Sequence, residues 1–104
     1  MIESNELPKH RPAHPGALIA DVLEDFGLTQ QELADRLQIP RHRLNEIIHG
    51  RRSITPDTAL RLSRVLGTSA LVWLREQAQL DLWDAVHGPN AKVVSRLKPL
   101  RAVS

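Results

Sequence analysis

Cysteine is absent from this 104-residue chain, tyrosine is absent too, and phenylalanine occurs once. Without cysteine there are no disulfides and no cysteine-based zinc sites. No apolar run approaches the roughly 18 residues of a membrane span. The start, MIESNELPKHRPAHPG, lacks the apolar stretch of a secretory signal. Strand-like alternation is nearly missing. Ser53, Ser63 and Ser69 have no histidine and acid arranged around them, and no glycine-rich phosphate loop occurs. These absences argue against a membrane protein, a secreted protein and an enzyme. The expectation is one soluble cytoplasmic domain without a cofactor.

What is present is charge sorted into blocks. The net charge is only +2. Residues 1–35 nevertheless carry two basic and seven acidic side chains, a net −5, while residues 36–64 carry seven arginines and two acids, a net +5. Residues 65–104 add a net +2. A plain solvated surface mixes its signs, so the blocks point to separate partners: a polyanion for the middle and something basic for the front.

Apolar spacing predicts five helices. The first opens at Pro15, carries Leu18, Ile19, Val22, Leu23 and Phe26 at helical spacing, and closes at Gly27. Thr29 caps the second, with Glu32 three residues on as its capping-box partner and Leu33, Ala34 and Leu37 inward. Pro40 breaks the chain. The third runs from about Arg41 to His49, with Leu44, Ile47 and Ile48 inward and Gly50 as terminator. Thr55, Pro56 and Asp57 open the fourth, whose inner face is Ala59, Leu60, Leu62, Val65 and Leu66 before Gly67. Ser69 caps the fifth, about Ala70 to His87, which Gly88-Pro89 ends. In the last stretch, KVVSRL has the composition of a short strand, which Pro99 keeps short. This gives an arm at 1–13, a helical domain at 14–88 and a basic tail at 89–104.

The second and third helices are short and joined only by QIP, the spacing of a helix-turn-helix. In such a pair the N-terminus of the second member enters the major groove of DNA. Arg41 and His42 stand there, and arginine can donate to both acceptors of a guanine. Arg43, Asn45 and Glu46 complete the candidate reading set. Gln30, Arg51 and Arg52 flank it where phosphates should lie, with backbone donors at the helix start beside Gln30. Basic residues that merely solvate a helix are the plainer reading of any single arginine, less so of the whole cluster. His42, Glu46 and His49 also share a stripe of ligand-capable spacing. The same stripe faces the groove, so base or phosphate contact is preferred and no metal is expected.

The stretch from HPG at residue 14 to DLWDA at residue 85 resembles the HigA-type antitoxins, also called addiction-module antidote or VapI-like proteins, within the Xre and lambda-repressor-like helix-turn-helix group. HPG at the first helix, LNEIIHGRRSIT through the middle and the tryptophan-bearing fifth helix carry the likeness. It implies an all-α, five-helix lambda-repressor-like fold with the helix-turn-helix at helices two and three. It also implies a homodimer that represses its own operon and neutralises a HigB-type ribonuclease toxin. Many such turns have glycine where this chain has Gln38.

Two tryptophans on the fifth helix exceed what a core needs. Trp73 is assigned to the core, and Trp83 with Leu80 to a dimer seam, so the operator should be a palindrome. The toxin is expected on the acidic front, at Asp21, Glu24 and Asp25, because a ribonuclease surface is basic. The competing site is the tail from Lys92 to Arg101, through Val93, Val94 and Leu97. A stand-alone Xre-type repressor without a toxin, and a helical module whose basic face binds protein or RNA, are the alternative functions.

Overall fold

The computed structural model describes residues 7–100. Glu3 and Glu6 of the acidic front and Arg101 of the tail lie outside them. The described chain is all-α, with helices at Gly16–Phe26 (α1), Gln30–Leu37 (α2), Arg41–Ile48 (α3), Pro56–Leu66 (α4), Ala70–Val86 (α5) and Ala91–Ser95 (α6).

Local chemistry sets most boundaries. The Thr29 hydroxyl accepts from the Glu32 amide at 3.1 Å, and the Glu32 carboxylate accepts from the Thr29 amide at 3.2 Å, which closes the expected capping box on α2. Thr55 accepts from the Thr58 amide at 3.3 Å, with Pro56 as the first residue of α4. Gly27 takes φ 64°, the left-handed turn that ends α1. Ser69 stands at the N-cap of α5 but makes no side-chain capping bond.

Each of the first five helices gives one stripe to a shared core. Ile19 of α1, Leu33, Ala34 and Leu37 of α2, Leu44 and Ile47 of α3, Ala59 and Leu62 of α4 and Trp73 of α5 are buried together, with Ile39 and Ile54 from the connecting turns. Trp73 is 4% exposed, and its indole Nε1 donates to the Thr68 hydroxyl at 2.7 Å. A tryptophan buried in the core needs such a partner for its one donor. Gln77 is buried beside it. Its carbonyl accepts from the Ile54 amide at 2.9 Å, and its NH2 donates to Asp81 at 3.0 Å, so α5 satisfies the loop that leads into α4.

Three positions assigned to inner faces point outward. Leu18 is 47% exposed, Leu60 64% and Phe26 70%. Leu18 lies about 100° round the helix from Ile19, off the contacting stripe. Phe26 lies on that stripe but in its last turn, past the helix that covers the rest. Leu60 sits next to Ala59, which already closes the α4 contact. The tail is also corrected: KVVSRL is not a strand but holds α6, a sixth helix. No other strand exists among the described residues to pair with it, so its amides turn back on the chain, as in Val94 N to Asn90 O at 3.0 Å. Among the described residues nothing buries α6, and Val93, Val94 and Leu97 are exposed. The molecule is accordingly elongated, 53 by 23 by 22 Å.

Candidate nucleic-acid interface

The angle between α2 and α3 depends on a turn in which Gln38 takes φ 56°, ψ 47°, the left-handed region that favours glycine. Gln38 is the only non-glycine residue with positive φ among those described. Its amide and that of Ile39 bond back to Asp35 and Ala34 at 3.2 and 3.1 Å, which closes the end of α2. Pro40 then stands at the N-cap of α3 in extended geometry.

This turn presents the start of α3 to solvent. Arg41, His42 and Asn45 line one open groove on the surface. Gln30, the first residue of α2, joins them: the Asn45 NH2 donates to the Gln30 carbonyl at 3.0 Å. Four of the eight residues expected at the interface are thus brought together. Arg51 and Arg52 follow Gly50 and are exposed. Arg52 lies 3.4 Å from Glu46, so the acid of the set holds one of its cations. His49 places Nδ1 2.9 Å from the Asn45 carbonyl.

Arg43 departs from the expected set. Its guanidinium turns away from the groove to α4, donating to the Thr58 hydroxyl at 3.0 Å and lying 3.6 Å from Asp57. The cause is helical geometry. Arg43 neighbours Leu44 on the side of α3 that meets α4, where Thr58 is 1% exposed and has a hydroxyl to satisfy.

The HPG segment anchors the opposite end of α3. A Cβ on Gly16 would lie 1.8 Å from the Ile47 carbonyl oxygen, so only glycine lets α1 start there. His14 Nδ1 accepts from the Gly16 amide at 2.9 Å, and Nε2 is buried with no close hydrogen-bond partner among the described residues. Burial holds the His14 pKa below its ordinary value, against the opposing pull of the Asp81 charge. The sequence signal for this anchor lay in the HPG motif, but the close approach is tertiary.

At the far end, residues 8–11 are fastened to α5. Arg11 makes a two-pronged pair with Asp84 at 2.7 and 2.9 Å. Trp83 is partly covered, and its ring stacks on His87 at 3.8 Å. Leu80, assigned with it to a dimer seam, is 2% exposed within the single chain. Its surface is already used inside the subunit. Asp21, Glu24 and Asp25 are exposed on α1.

The fold and the presented face define a helix-turn-helix domain, and a helix-turn-helix family model matches residues 19–73. Virulence-associated protein I of Dichelobacter nodosus is 42% identical over 79 residues, covering 75% of this chain and 70% of that protein. An addiction-module antidote protein of the HigA family from Coxiella burnetii superposes with a TM-score of 0.79 at 37% identity, covering 86% of this chain and 99% of that one. The Pseudomonas aeruginosa antitoxin HigA, solved with the higBA promoter, gives a TM-score of 0.79 at 32% identity over 88% of this chain and 100% of that one. The chain belongs to the HigA-type antitoxin family of helix-turn-helix proteins.

Proposed function

We propose that this chain is the DNA-binding antitoxin of a two-protein module. As a homodimer it binds a palindromic operator, represses its own operon, and neutralises a HigB-type ribonuclease in the cytoplasm. The observation that carries the DNA half is the groove of Arg41, His42 and Asn45 at the exposed start of α3, joined by Gln30 from α2. Arg41 and His42 read base edges, and Asn45 with Gln30 offers paired amides suited to an adenine. Arg51 and Arg52 contact phosphates, which set affinity and register rather than sequence. Glu46 keeps Arg52 in place beside the groove.

The second copy docks through the distal half of α5. Leu80 is buried in its own subunit, so the seam draws on Trp83 and the neighbouring Leu82, which is 37% exposed. The toxin docks on α1. There Asp21, Glu24 and Asp25 lie on the exposed side with Leu18, and Phe26 is exposed in the last turn, so the surface offers both opposite charge and apolar anchors to a basic partner.

The deciding experiment co-expresses the chain with a HigB-type toxin in two variants, one with Glu24 and Asp25 both changed to lysine and one lacking residues 91–104. Growth and operator binding are scored. The expected result is lost rescue with retained DNA binding for the charge-reversed protein, and intact rescue for the truncated one. The reverse pattern would move the toxin to the tail. Rescue by neither wild type nor variants, with operator binding intact, would favour a repressor without a toxin.

A further inference from the structure

Arg61, on α4, sits outside the groove and would pass as one more surface cation. Three hydrogen bonds instead tie it back to the fold. Nη1 donates to the Leu37 carbonyl at 2.8 Å and to the Gln38 carbonyl at 3.2 Å. Nε donates to Asp57 at 2.9 Å, which fixes the plane of the guanidinium. Asp57 in turn lies 3.6 Å from Arg43, whose Nη2 also donates to Thr58. One chain of polar contacts therefore runs from the end of α2, through α4, to the side of α3.

The two carbonyls it holds are those at the strained turn. The last carbonyls of a helix have no partner within it, and they carry the negative end of its dipole. Gln38 stands in left-handed geometry at φ 56° with a full side chain, where a Cβ is disfavoured. Such a conformation persists only when its surroundings over-determine it. A cation with two contacts on the turn and one on a fixed carboxylate provides that constraint.

We propose that Arg61 is the positioning residue of the reading head: it locks the Gln38 turn, and with Asp57 and Arg43 it sets the angle at which α3 is presented. This rests on the DNA-binding reading above. Arg61 contacts no DNA in this role. Its loss lets α3 rock, so base contacts weaken while phosphate attraction remains.

The test uses the full chain and two duplexes: one selected from a random pool by the wild-type protein, and a scrambled duplex of the same length. Arg61→Ala, Arg61→Lys and Gln38→Gly are compared singly, with Gln38→Gly also combined with Arg61→Ala, and helical content is checked by circular dichroism. The expected result for Arg61→Ala is about a tenfold loss on the selected duplex, with unchanged affinity for the scrambled one and an unchanged salt slope. Lysine cannot reach Asp57 and both carbonyls from one planar group, so Arg61→Lys should lose nearly as much. Gln38→Gly, which removes the strain, should restore most of the loss in the Arg61→Ala background. Equal losses on both duplexes with a flatter salt slope would make Arg61 a phosphate contact and overturn the proposal, as would full activity of Arg61→Lys. The turn is also followed without DNA, by exchange of the Ile39 amide. Faster exchange in Arg61→Ala, reversed by Gln38→Gly, is expected, and unchanged exchange overturns the clamp. Should the wild type select no duplex, the DNA-binding reading fails, while the exchange measurement still decides the clamp.

Discussion

Trp83 and Pro8 lie 75 residues apart in sequence, and the Trp83 indole Nε1 donates to the Pro8 carbonyl at 3.2 Å. The residue assigned to a dimer seam thus also pins the N-terminal arm. The two roles separate by substitution. Trp83→Phe keeps a ring against His87 but loses the donor. It should cost about 0.5–1.5 kcal/mol and speed exchange in residues 8–13, with the dimer intact by sedimentation. Trp83→Ala removes the ring as well and should shift the protein towards monomer. A Trp83→Ala dimer as tight as wild type would take Trp83 out of the seam.

Three of the four arginines of α3 and its following turn should behave differently. Arg41→Ala is expected to cost about 1–3 kcal/mol on the operator and blur one base pair. Arg52→Ala should weaken all DNA alike and reduce the salt slope by about 1. Arg43→Ala should leave base preference alone and lower the melting temperature, because the contacts that tie α3 to Thr58 and Asp57 of α4 are lost. Titrations at several salt concentrations distinguish them, and a sequence-specific defect in Arg43→Ala would return that side chain to the groove.

Gly16→Ala places a methyl group against the Ile47 carbonyl. Overpacking of this kind costs about 1–3 kcal/mol, and each kcal/mol lowers the melting temperature of a domain this size by about 4–8 °C. The contact is with backbone, which cannot rotate aside, so the upper part of the range is expected. An unchanged thermal transition would show that α1 and α3 can separate at no cost.

Gln77→Leu fills the same space but leaves the Ile54 amide without its acceptor. A buried donor so stranded costs about 1–3 kcal/mol. Thermal unfolding measures the loss, and a variant as stable as wild type would mean that water replaces the glutamine.

The His14 ring is held neutral, because Nδ1 accepts from the Gly16 amide and burial lowers its pKa. Proton uptake therefore favours the unfolded chain. The stabilisation is full above the unfolded-state value of about 6.5 and is lost as pH falls through the lower folded value. Wild type should lose melting temperature as pH falls below about 6.5, and His14→Ala should lose less over the same range. Parallel curves would clear His14 of any part in it.

What the sequence made legible was the chemistry of neighbours along the chain. The Thr29–Glu32 box, the Thr55-Pro56 start and the Gly27 turn each depend on a few consecutive residues, and each stands where spacing placed it. The helix-turn-helix followed from the same signals. Phe26, Leu18 and Leu60 were misassigned because periodicity ranks faces without showing where the covering helix stops. Arg43 and Arg61 resemble Arg41 in sequence, and only the position of α4 separates their duties. The arm across α5 joins residues at opposite ends of the chain, a relationship that no local pattern encodes.

The amide bridge between Gln30 and Asn45 bears on timing. Immobilising a side chain on association costs about 0.5–1.5 kcal/mol. These two have already given up their rotamer freedom during folding, and each keeps one half of its amide available, the Gln30 NH2 and the Asn45 carbonyl. On the proposed reading, an arriving duplex would meet a donor and an acceptor that are already aimed, on two different helices. On that reading, recognition at this pair would be a rigid docking step, with its rate set by encounter rather than by a search through side-chain conformations.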